Sequence, residues 1–272
     1  GMVKKFKARF CARGDQQLEG IDFFETYAPV VQWTTVRLML ILEILLQLKS
    51  KQGDVTAAFV HANLEENEKV YVRMPLGFRQ QGKVLKLKKT LYGLRQSPRS
   101  FWKYLTKTMV ACGMEVSKMD PCLFIGERVV AVAFVDDVLF WSSDEAYINE
   151  LGAKLREQGM LLEQEDDAAG FLGVRMNKLE DGAMELKQTG LIDRILEALG
   201  LDFKLATGKF TPAEATPLTK DEDGEPPQGT FSYSSVVGMM MVMYLAGHTR
   251  LDIAYAVNCC VRYMYNPRLL HE

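Results

Sequence analysis

The sequence lacks the short motifs that mark several large enzyme classes. It has no GxxxxGK[ST] loop, so a P-loop kinase or ATPase is not expected. It also has no GxSxG motif and no pairing of Cys with His that would indicate acyl transfer. Its five cysteines are odd in number and form no CxxC pair, which favours reduced thiols over a zinc cluster or a disulfide framework. Only three histidines are present, and none is well placed to assist catalysis.

Long apolar runs are missing as well. The longest run near the end, 236–247, is too short to span a bilayer and contains two glycines. No signal peptide opens the chain. We therefore expect no membrane partner and an intracellular protein, in the cytoplasm or the nucleus.

Acidic residues are absent from two stretches of the chain. Residues 73–107 carry ten Lys or Arg without one acid, and residues 1–13 carry five basic residues and no acid. Residues 136–167 show the reverse, with ten acids against two bases, so the net charge is only −2. Such segregation favours a basic face that binds nucleic acid, although a solvated surface remains the alternative for each run.

The composition is that of a globular protein with both helices and strands. Of 272 residues, 48% are apolar and 25% charged, which is enough for one large or two smaller domains. Periodicity predicts helices over 33–48, 97–112 and 189–199, and strands over 3–13, 52–60, 129–135, 138–142 and 171–176. Helix 33–48 is apolar nearly all round, so we expect it to be buried. Interleaved strands and helices indicate an α+β fold.

The most distinctive stretch is 129–141, an almost unbroken apolar run with Asp136 and Asp137 in its middle. Such a run is typical of a buried strand, where two unpaired ionised carboxylates would be very costly. A hairpin with strands over 129–135 and 138–142 resolves the conflict, because the acids then lie at an exposed turn where a cation can hold them together. An ordinary acidic turn remains the alternative, since Asp is a favoured turn residue.

A third carboxylate, Asp54, lies near the start of the apolar strand predicted over 52–60. If this strand neighbours the hairpin, three carboxylates meet at one place and cannot all stay ionised without cations. Two divalent ions about 3.5–4 Å apart would use them, one activating an attacking oxygen and the other binding phosphates. Oxygen ligands favour magnesium or manganese over zinc. Because the motifs of P-loop enzymes and of acyl transfer are missing, phosphoryl transfer on a nucleotide or nucleic acid is the predicted chemistry.

Seven segments, each weak alone, together carry a resemblance to a known family. They are KARFCARG at 7–14, GIDFFETYAP at 20–29, QGDVTAAF at 52–59, LKKTLYGLRQSPR at 87–99, FVDD at 134–137, FLG at 171–173 and GHTRLDIAYAV at 247–257. Their order and spacing resemble a copia-type (Pseudoviridae-like) LTR retrotransposon reverse transcriptase. The match covers nearly the whole chain.

This resemblance implies an α+β right-hand polymerase with fingers, palm and thumb, in which helices back a central antiparallel palm sheet. It implies fingers and palm over 1–180, a thumb over 181–205, and a linker over 206–230, where four prolines and three glycines occur. Residues 231–272 would be a connection segment leading to an RNase H domain that we expect to be absent from this chain.

The implied activity is that of an RNA-directed DNA polymerase, which transfers a dNMP to a primer 3′-OH on an RNA or DNA template. Asp54, Asp136 and Asp137 resemble the catalytic aspartates, and Asp136 is the firmer metal ligand of the adjacent pair. With the Val55 carbonyl they would hold two Mg²⁺ ions, for which Mn²⁺ is a possible substitute.

The nucleotide site implied by the resemblance draws on three segments. Lys7 and Arg9 resemble the fingers residues that grip the incoming triphosphate. Phe59 resembles the steric gate that excludes a ribose 2′-OH, with simple core packing as the alternative. Tyr92 and Gly93 fall where the nucleotide pocket is lined.

Two further segments would contact nucleic acid. Gln96, Ser97 and Pro98 would border the template, and Phe171, Leu172 and Gly173 would form the primer grip. The implied partners are a template–primer duplex, dNTPs, and the RNase H and integrase regions of a parent polyprotein, with a homodimer or a heterodimer also open. The expected location is then the cytoplasm, with a virus-like particle or the nucleus as alternatives.

Two other functions stay open at this point. A different palm enzyme, such as a nucleotidyl cyclase or a primase-like nucleotidyltransferase, would use the same acids without a primer. A catalytically incomplete or domesticated reverse-transcriptase domain would bind nucleic acid or a partner protein without turnover. The lysine often found in the family between the Asp-Asp hairpin and the primer grip also has no obvious counterpart in 163–169.

Overall fold

The structure is a computed structural model that describes residues 8–165, 170–201, 210–214, 216–241 and 245–272. The chain divides into two compact units, Gly1–Ala168 and Ala169–Glu272. Lys7 lies outside the described residues. Among the helices that are described, none has the length and apolarity needed to cross a membrane.

The described residues of the first unit, 8–165, form three α-helices and eight strands. The helices are α1 (Trp33–Leu45), α2 (Ser97–Ala111) and α3 (Glu145–Glu157). The strands are β1 (Lys49–Val55), β2 (Tyr71–Val72), β3 (Leu85–Lys86), β4 (Glu115–Val116), β5 (Leu123–Ile125), β6 (Val129–Phe134), β7 (Asp137–Ser142) and β8 (Leu162–Glu165). A 3-10 helix at Ala58–His61 follows β1.

An antiparallel sheet with strand order β4-β5-β6-β7-β1-β8 organises this unit. Its core side packs on α2 and α3, and the shared cluster includes Phe101, Met109, Ile148 and Phe140, all almost fully buried. Each such side chain contributes about 1.5–3 kcal/mol through burial. The prediction of an α+β fold with an antiparallel sheet backed by helices is therefore confirmed at that level.

Helix α1 is held by a carboxylate from a distant loop. Buried Asp120 accepts hydrogen bonds from the Gln32 backbone N–H (3.0 Å) and the Thr35 hydroxyl (2.7 Å), so it caps the helix from across the chain. The expectation that this helix is buried all round is wrong. Leu38 and Ile41 are more than half exposed, because only the face carrying Val36, Met39, Leu40 and Glu43 meets the core.

Backbone conformation changes the boundaries of two predicted strands. The strand predicted over 52–60 begins earlier and ends at Val55, because Ala57 adopts a left-handed conformation (φ 55°) that opens the 3-10 helix. The strand predicted over 171–176 is two strands, since Leu172 and Gly173 both have positive φ (55° and 74°) and make a two-residue hairpin turn. Residues 8–13 form no strand, and 3–7 lie outside the described residues.

In the part of the second unit that the structure describes, there are a small sheet and four α-helices. The sheet order is β11-β10-β9, formed by β9 (Gly170–Phe171), β10 (Val174–Lys178) and β11 (Met184–Lys187). The helices are α4 (Thr189–Ala198), α5 (Tyr233–Met240), α6 (Leu245–His248) and α7 (Ala254–Val261). Helix α4 confirms the helix predicted over 189–199, and Leu191 and Ile195 pack it on Val236 and Leu245.

The proline-rich segment of this unit is tied to the chain end. Buried His271 accepts a hydrogen bond from the Arg268 N–H at Nδ1 (2.8 Å), so its Nε2 carries the proton and donates to the Thr219 carbonyl (3.0 Å). The Tyr263 ring stacks on this imidazole at 4.2 Å, and its hydroxyl donates to the Leu218 carbonyl. The described parts of 206–230 form no helix or strand, and these contacts hold Leu218 and Thr219 against the end of the chain.

Candidate active site

The Asp-Asp hairpin and the strand carrying Asp54 lie side by side. Strands β6 and β7 pair up to Phe134 and Asp137, and Val135 and Asp136 form the turn between them. Strand β1 runs antiparallel to β7, so Asp54 stands directly opposite Asp137. The predicted hairpin and its neighbouring strand are confirmed, but the turn lies one residue earlier than predicted, so Asp137 belongs to β7 and only Asp136 is a turn residue. All three carboxylate residues lie at the same end of β1 and the β6–β7 hairpin.

The backbone fixes these residues while their side chains reach water. The Val55 N–H donates to the Asp136 carbonyl at 2.8 Å, which ties the turn to β1. Asp54 is exposed and both hairpin aspartates are half-buried, whereas Val55 and Val138 beside them are fully buried. Gln52, two residues before Asp54 on the same face of β1, donates from Nε2 to Asp137 Oδ1 at 3.4 Å. A rigid sheet rim therefore presents the acidic groups.

The turn itself is strained. Val135 has φ 53°, a conformation that a β-branched residue rarely adopts and that costs on the order of 1–3 kcal/mol. The side chain of Val135 packs against the core cluster, and six residue pairs of β6 and β7 hold the turn closed. The sheet and core together thus impose the position of Asp136.

The donor set fits a hard divalent cation by its chemistry. Asp54, Asp136 and Asp137 offer only carboxylate oxygens, which suit Mg²⁺ or Mn²⁺ and do not favour soft metals. In the described part of the chain, however, no three His, Cys, Asp or Glu side chains are grouped as metal ligands. The metal-binding roles of these residues and of the Val55 carbonyl stay predictions.

Three of the predicted nucleotide-binding residues, Arg9, Phe59 and Tyr92, form one cluster beside the hairpin, here called the aromatic cluster. The rings of Phe59 and Tyr92 meet edge to face, with centroids 4.8 Å apart at 74°, and the Arg9 guanidinium lies 5.5 Å from the Tyr92 centroid. Burial raises the pKa of Tyr92, and the carboxylates of Asp136 and Asp54 raise it further. The Tyr92 hydroxyl therefore lies in the electric field of both carboxylates. The aromatic cluster is thus close to the end of the sheet that carries Asp54, Asp136 and Asp137, here called the acidic rim.

Two glycines allow the segment carrying Arg9 to cross the segment carrying Tyr92. The Ala12 N–H donates to the Tyr92 carbonyl at 2.7 Å. Gly93 has φ 88°, and a Cβ there would lie 2.2 Å from the Ala12 carbonyl oxygen. A Cβ on Gly14 would likewise lie 2.0 Å from the Gly93 oxygen. Only glycine fits at either position, so both belong to the framework of the site.

The predicted template segment has largely internal contacts. Gln96 is 1% exposed; its Nε2 donates to the Asp22 carbonyl at 3.0 Å and its Oε1 accepts from Gln17 at 3.1 Å. The Ser97 hydroxyl is also buried and donates to a backbone carbonyl at 2.6 Å. Pro98, half-buried, is the second residue of α2. A template contact by this segment stays a prediction, and it would have to use Pro98 or the backbone.

The predicted primer grip is the β9–β10 hairpin of the second unit. Phe171 is fully buried there, while the turn residues Leu172 and Gly173 reach the surface. A primer contact stays a prediction for the two turn residues, because the Phe171 side chain belongs to the core.

Sequence reasoning missed the residues that fasten 13–23 to 91–96. The Arg95 guanidinium donates to the Gly14 carbonyl at 2.8 Å and lies 5.5 Å from the Phe23 ring centroid. The Arg95 N–H donates to Gln17 Oε1 at 2.8 Å. Arg95, Gly14 and Phe23 all lie within the seven segments that carry the family resemblance, and this was the only sequence signal for them. Nothing in the sequence indicated that they contact one another.

Comparison with known proteins gives the family. Residues 2–215 match the reverse transcriptase (RNA-dependent DNA polymerase) family. The chain is 32% identical to the retrovirus-related Pol polyprotein from transposon TNT 1-94 of Nicotiana tabacum, over 98% of this chain and 21% of the polyprotein. It is 29% identical to that from transposon RE1 of Arabidopsis thaliana, over 100% and 18%. It is 30% identical to the Ty1-ER2 Gag-Pol polyprotein of Saccharomyces cerevisiae, over 75% and 10%.

The chain thus spans about a fifth or less of the curated polyproteins it matches. Among solved structures it is similar to apo telomerase from Candida tropicalis truncated from the C-terminal domain, at 15% identity and a TM-score of 0.35, over 60% of this chain and 41% of that one. That likeness is too low to establish a shared fold. The family match and the polyprotein relatives are sufficient, and the chain belongs to the reverse transcriptases of copia-type LTR retrotransposons.

Proposed function

We propose that this chain is an RNA-directed DNA polymerase that adds dNMP units to a primer 3′-OH on an RNA or DNA template. The observation that carries the proposal is the pairing of Asp54 with Asp137 on adjacent strands, with Asp136 beside them in the β6–β7 turn. A reaction on a triphosphate is consistent with this site, because the three carboxylates of the acidic rim reach solvent beside the aromatic cluster and its Arg9 guanidinium. The right-hand organisation, with fingers and palm over 1–180, a thumb over 181–205 and a connection over 231–272, is part of the proposal.

Asp54, Asp136 and Asp137, with the Val55 carbonyl, are the residues that would hold two Mg²⁺ ions, or Mn²⁺ in their place. Such ions, when bound, activate the attacking oxygen and stabilise charge on the leaving phosphates. The protein contributes a fixed geometry: the hydrogen bond from Val55 to the Asp136 carbonyl and the Asp54–Asp137 register hold the acids at one sheet rim.

We expect the aromatic cluster beside the acidic rim to bind the nucleotide. Arg9 is exposed and offers a guanidinium to the triphosphate, with Lys7 as its sequence neighbour in the same motif. Phe59 is the group that would exclude a ribose 2′-OH, and Tyr92 and Gly93 form the adjoining wall. The crossing of 12–14 over 92–93 keeps the cationic and aromatic parts together.

Template–primer binding would draw on the acid-free stretch. Six of its cations are exposed over 73–89, around the β2–β3 hairpin: Arg73, Arg79, Lys83, Lys86, Lys88 and Lys89. Contacts of this kind go mainly to phosphates, so the affinity should fall steeply with salt concentration. Association with RNase H and integrase regions of a parent polyprotein, dimer formation, and an intracellular location remain predictions.

Primer extension tests the proposal. A DNA primer on a homopolymeric RNA template would be incubated with the matching dNTP, with magnesium, manganese and EDTA compared side by side. Extension with either metal and none with EDTA is the expected result, and Asp136→Asn should abolish it. Salt-sensitive binding without extension would contradict the polymerase assignment and favour a nucleic-acid binding module, whereas extension by Asp136→Asn would refute the metal assignment.

A further inference from the structure

The Phe59 ring contacts two other aromatic rings. It meets Phe101 edge to face, with centroids 6.1 Å apart at 85°, and Phe101 is fully buried in the core. It also meets Tyr92 edge to face, at 4.8 Å and 74°. Tyr92 is only half-buried and lies close enough to Asp136 and Asp54 for their charges to raise its pKa, so of the two contacts it is the one near the carboxylates.

The backbone of Phe59 leaves its ring few alternatives. Phe59 lies in the 3-10 helix Ala58–His61, and the Thr90 hydroxyl donates to the Phe59 carbonyl. With the main chain held in this way, the remaining freedom is rotation of the side chain. Phe101 cannot shift because it belongs to the close-packed core, so the half-buried Tyr92 ring is the contact that can change the position of the Phe59 ring.

From this arrangement we propose that Tyr92 is a positioning residue that sets sugar selectivity by holding the Phe59 ring against the nucleotide's C2′ position. The inference rests on the proposed polymerase function and on the gate role of Phe59. It assigns the effect to the Tyr92 ring and not to its hydroxyl, because the contact with Phe59 is ring to ring.

The same ring connects sugar selection to phosphate binding. The Arg9 guanidinium lies over the Tyr92 ring, 5.5 Å from its centroid, and the Ala12 N–H donates to the Tyr92 carbonyl, so the position of Tyr92 depends on the segment that carries Arg9. Binding of a triphosphate by Arg9 would therefore stabilise the ring that backs the sugar gate. A nucleotide lacking the correct phosphate contacts should be screened less stringently at its sugar.

Single-nucleotide incorporation provides the test. On a poly(rA) template with an oligo(dT) primer, kcat/KM would be measured for dTTP and for UTP, and their ratio compared among wild type, Tyr92→Leu, Tyr92→Phe, Phe59→Val and the double variant Tyr92→Leu/Phe59→Val. Tyr104→Leu is the matched control: Tyr104 packs in the same core cluster and contacts Phe101 and His61, but has no ring contact with Phe59.

The expected result is a dTTP/UTP ratio that falls roughly two- to tenfold in Tyr92→Leu, the range that loss of one aromatic pair allows. The ratio should be unchanged in Tyr92→Phe and in Tyr104→Leu. The double variant should show no larger fall than Phe59→Val alone, since both changes act through one ring. If Tyr92→Leu does not fold by circular dichroism, Tyr92→Met replaces it under the same criterion.

The outcomes separate the inference from the function on which it rests. If kcat/KM falls by the same factor for dTTP and UTP in Tyr92→Leu, while Phe59→Val changes the dTTP/UTP ratio, only the positioning role of Tyr92 is overturned. An unchanged ratio in Phe59→Val would remove the gate and the inference with it. A wild-type protein that does not extend the primer would overturn the proposed function and, with it, the inference.

Discussion

Replacing Gly93 by alanine tests the close backbone crossing that joins Arg9 to Tyr92. The new methyl group would lie 2.2 Å from the Ala12 carbonyl oxygen, well inside contact distance, and the residue would have to keep φ 88°. The segment containing Ala12 must therefore move away, which breaks its hydrogen bond to the Tyr92 carbonyl.

The expected cost has two parts. A left-handed conformation costs a non-glycine residue about 1–2 kcal/mol. Loss of the hydrogen bond adds about 0.5–1.5 kcal/mol, and the displaced segment loses packing as well. We expect Gly93→Ala to lower the free energy of unfolding by roughly 2–4 kcal/mol in total.

Gly113 supplies the matched control. It has nearly the same φ, 89°, but a Cβ there would meet nothing within 4 Å. Gly113→Ala should therefore show the conformational part alone, about 1–2 kcal/mol. Urea denaturation of the two variants, followed by circular dichroism, gives the difference that belongs to the crossing.

A destabilisation of Gly93→Ala no larger than that of Gly113→Ala would refute the close crossing. Nucleotide affinity offers an independent readout, because displacement of 12–14 should move Arg9 off the Tyr92 ring. We expect KM for dNTP to rise in Gly93→Ala and to stay at the wild-type value in Gly113→Ala.

Three further predictions use other parts of the chain. Asp136→Asn should abolish primer extension while leaving template–primer affinity within about twofold, because phosphate contacts dominate that affinity; filter binding and extension on the same duplex check this. Burial raises the pKa of Glu68, so the wild type loses stability as the pH rises through that raised value. Glu68→Gln should remove this loss, and its stability relative to wild type in urea should increase from pH 4 to pH 7. Burial raises the pKa of the Cys122 thiol to about 12, so iodoacetamide at pH 8 should modify exposed Cys11 and leave Cys122 intact in the folded protein; mass spectrometry showing Cys122 modified first would contradict its burial.

The elements that sequence predicted well are those with a local cause. The β6–β7 hairpin follows from a conflict between an apolar run and two adjacent acids, and the turn is the local solution. Helix α2 follows from apolar periodicity, with Pro98 near its first residue and Gly113 just after its end. In these cases the physical cause lies within about fifteen residues of sequence, so single-sequence reasoning reaches it.

The predictions were wrong where the local structure depends on distant parts of the chain or on a backbone conformation that the residue type does not indicate. Helix α1 looked buried because it is apolar on all sides, yet which face meets the core depends on the sheet and on Asp120. The hairpin at Leu172 and Gly173 looked like one strand, because positive φ at a leucine is not signalled by its residue type.

The candidate site divides in the same way. The aspartates were predictable because carboxylates interrupt apolar strands. The Phe59–Tyr92 contact was not, because no pattern in the sequence pairs the two segments. Gly14 and Gly93 lie within quoted motifs, but their mutual contact is set by how two distant segments cross.

The position of β1 in the sheet has a consequence for how the protein folds. The β6–β7 hairpin can form early because its strands are adjacent in sequence, but β1 must enter between β7 and β8 from far away along the chain. Gln52 and Asp137, which contact each other at the site, are separated by 85 positions in sequence. Such non-local pairing carries the largest loop-closure entropy and is expected late in folding. We therefore expect the acidic rim to be completed in a late, non-local step, so that a nascent or partly folded chain carries the Asp136–Asp137 hairpin without Asp54 beside it.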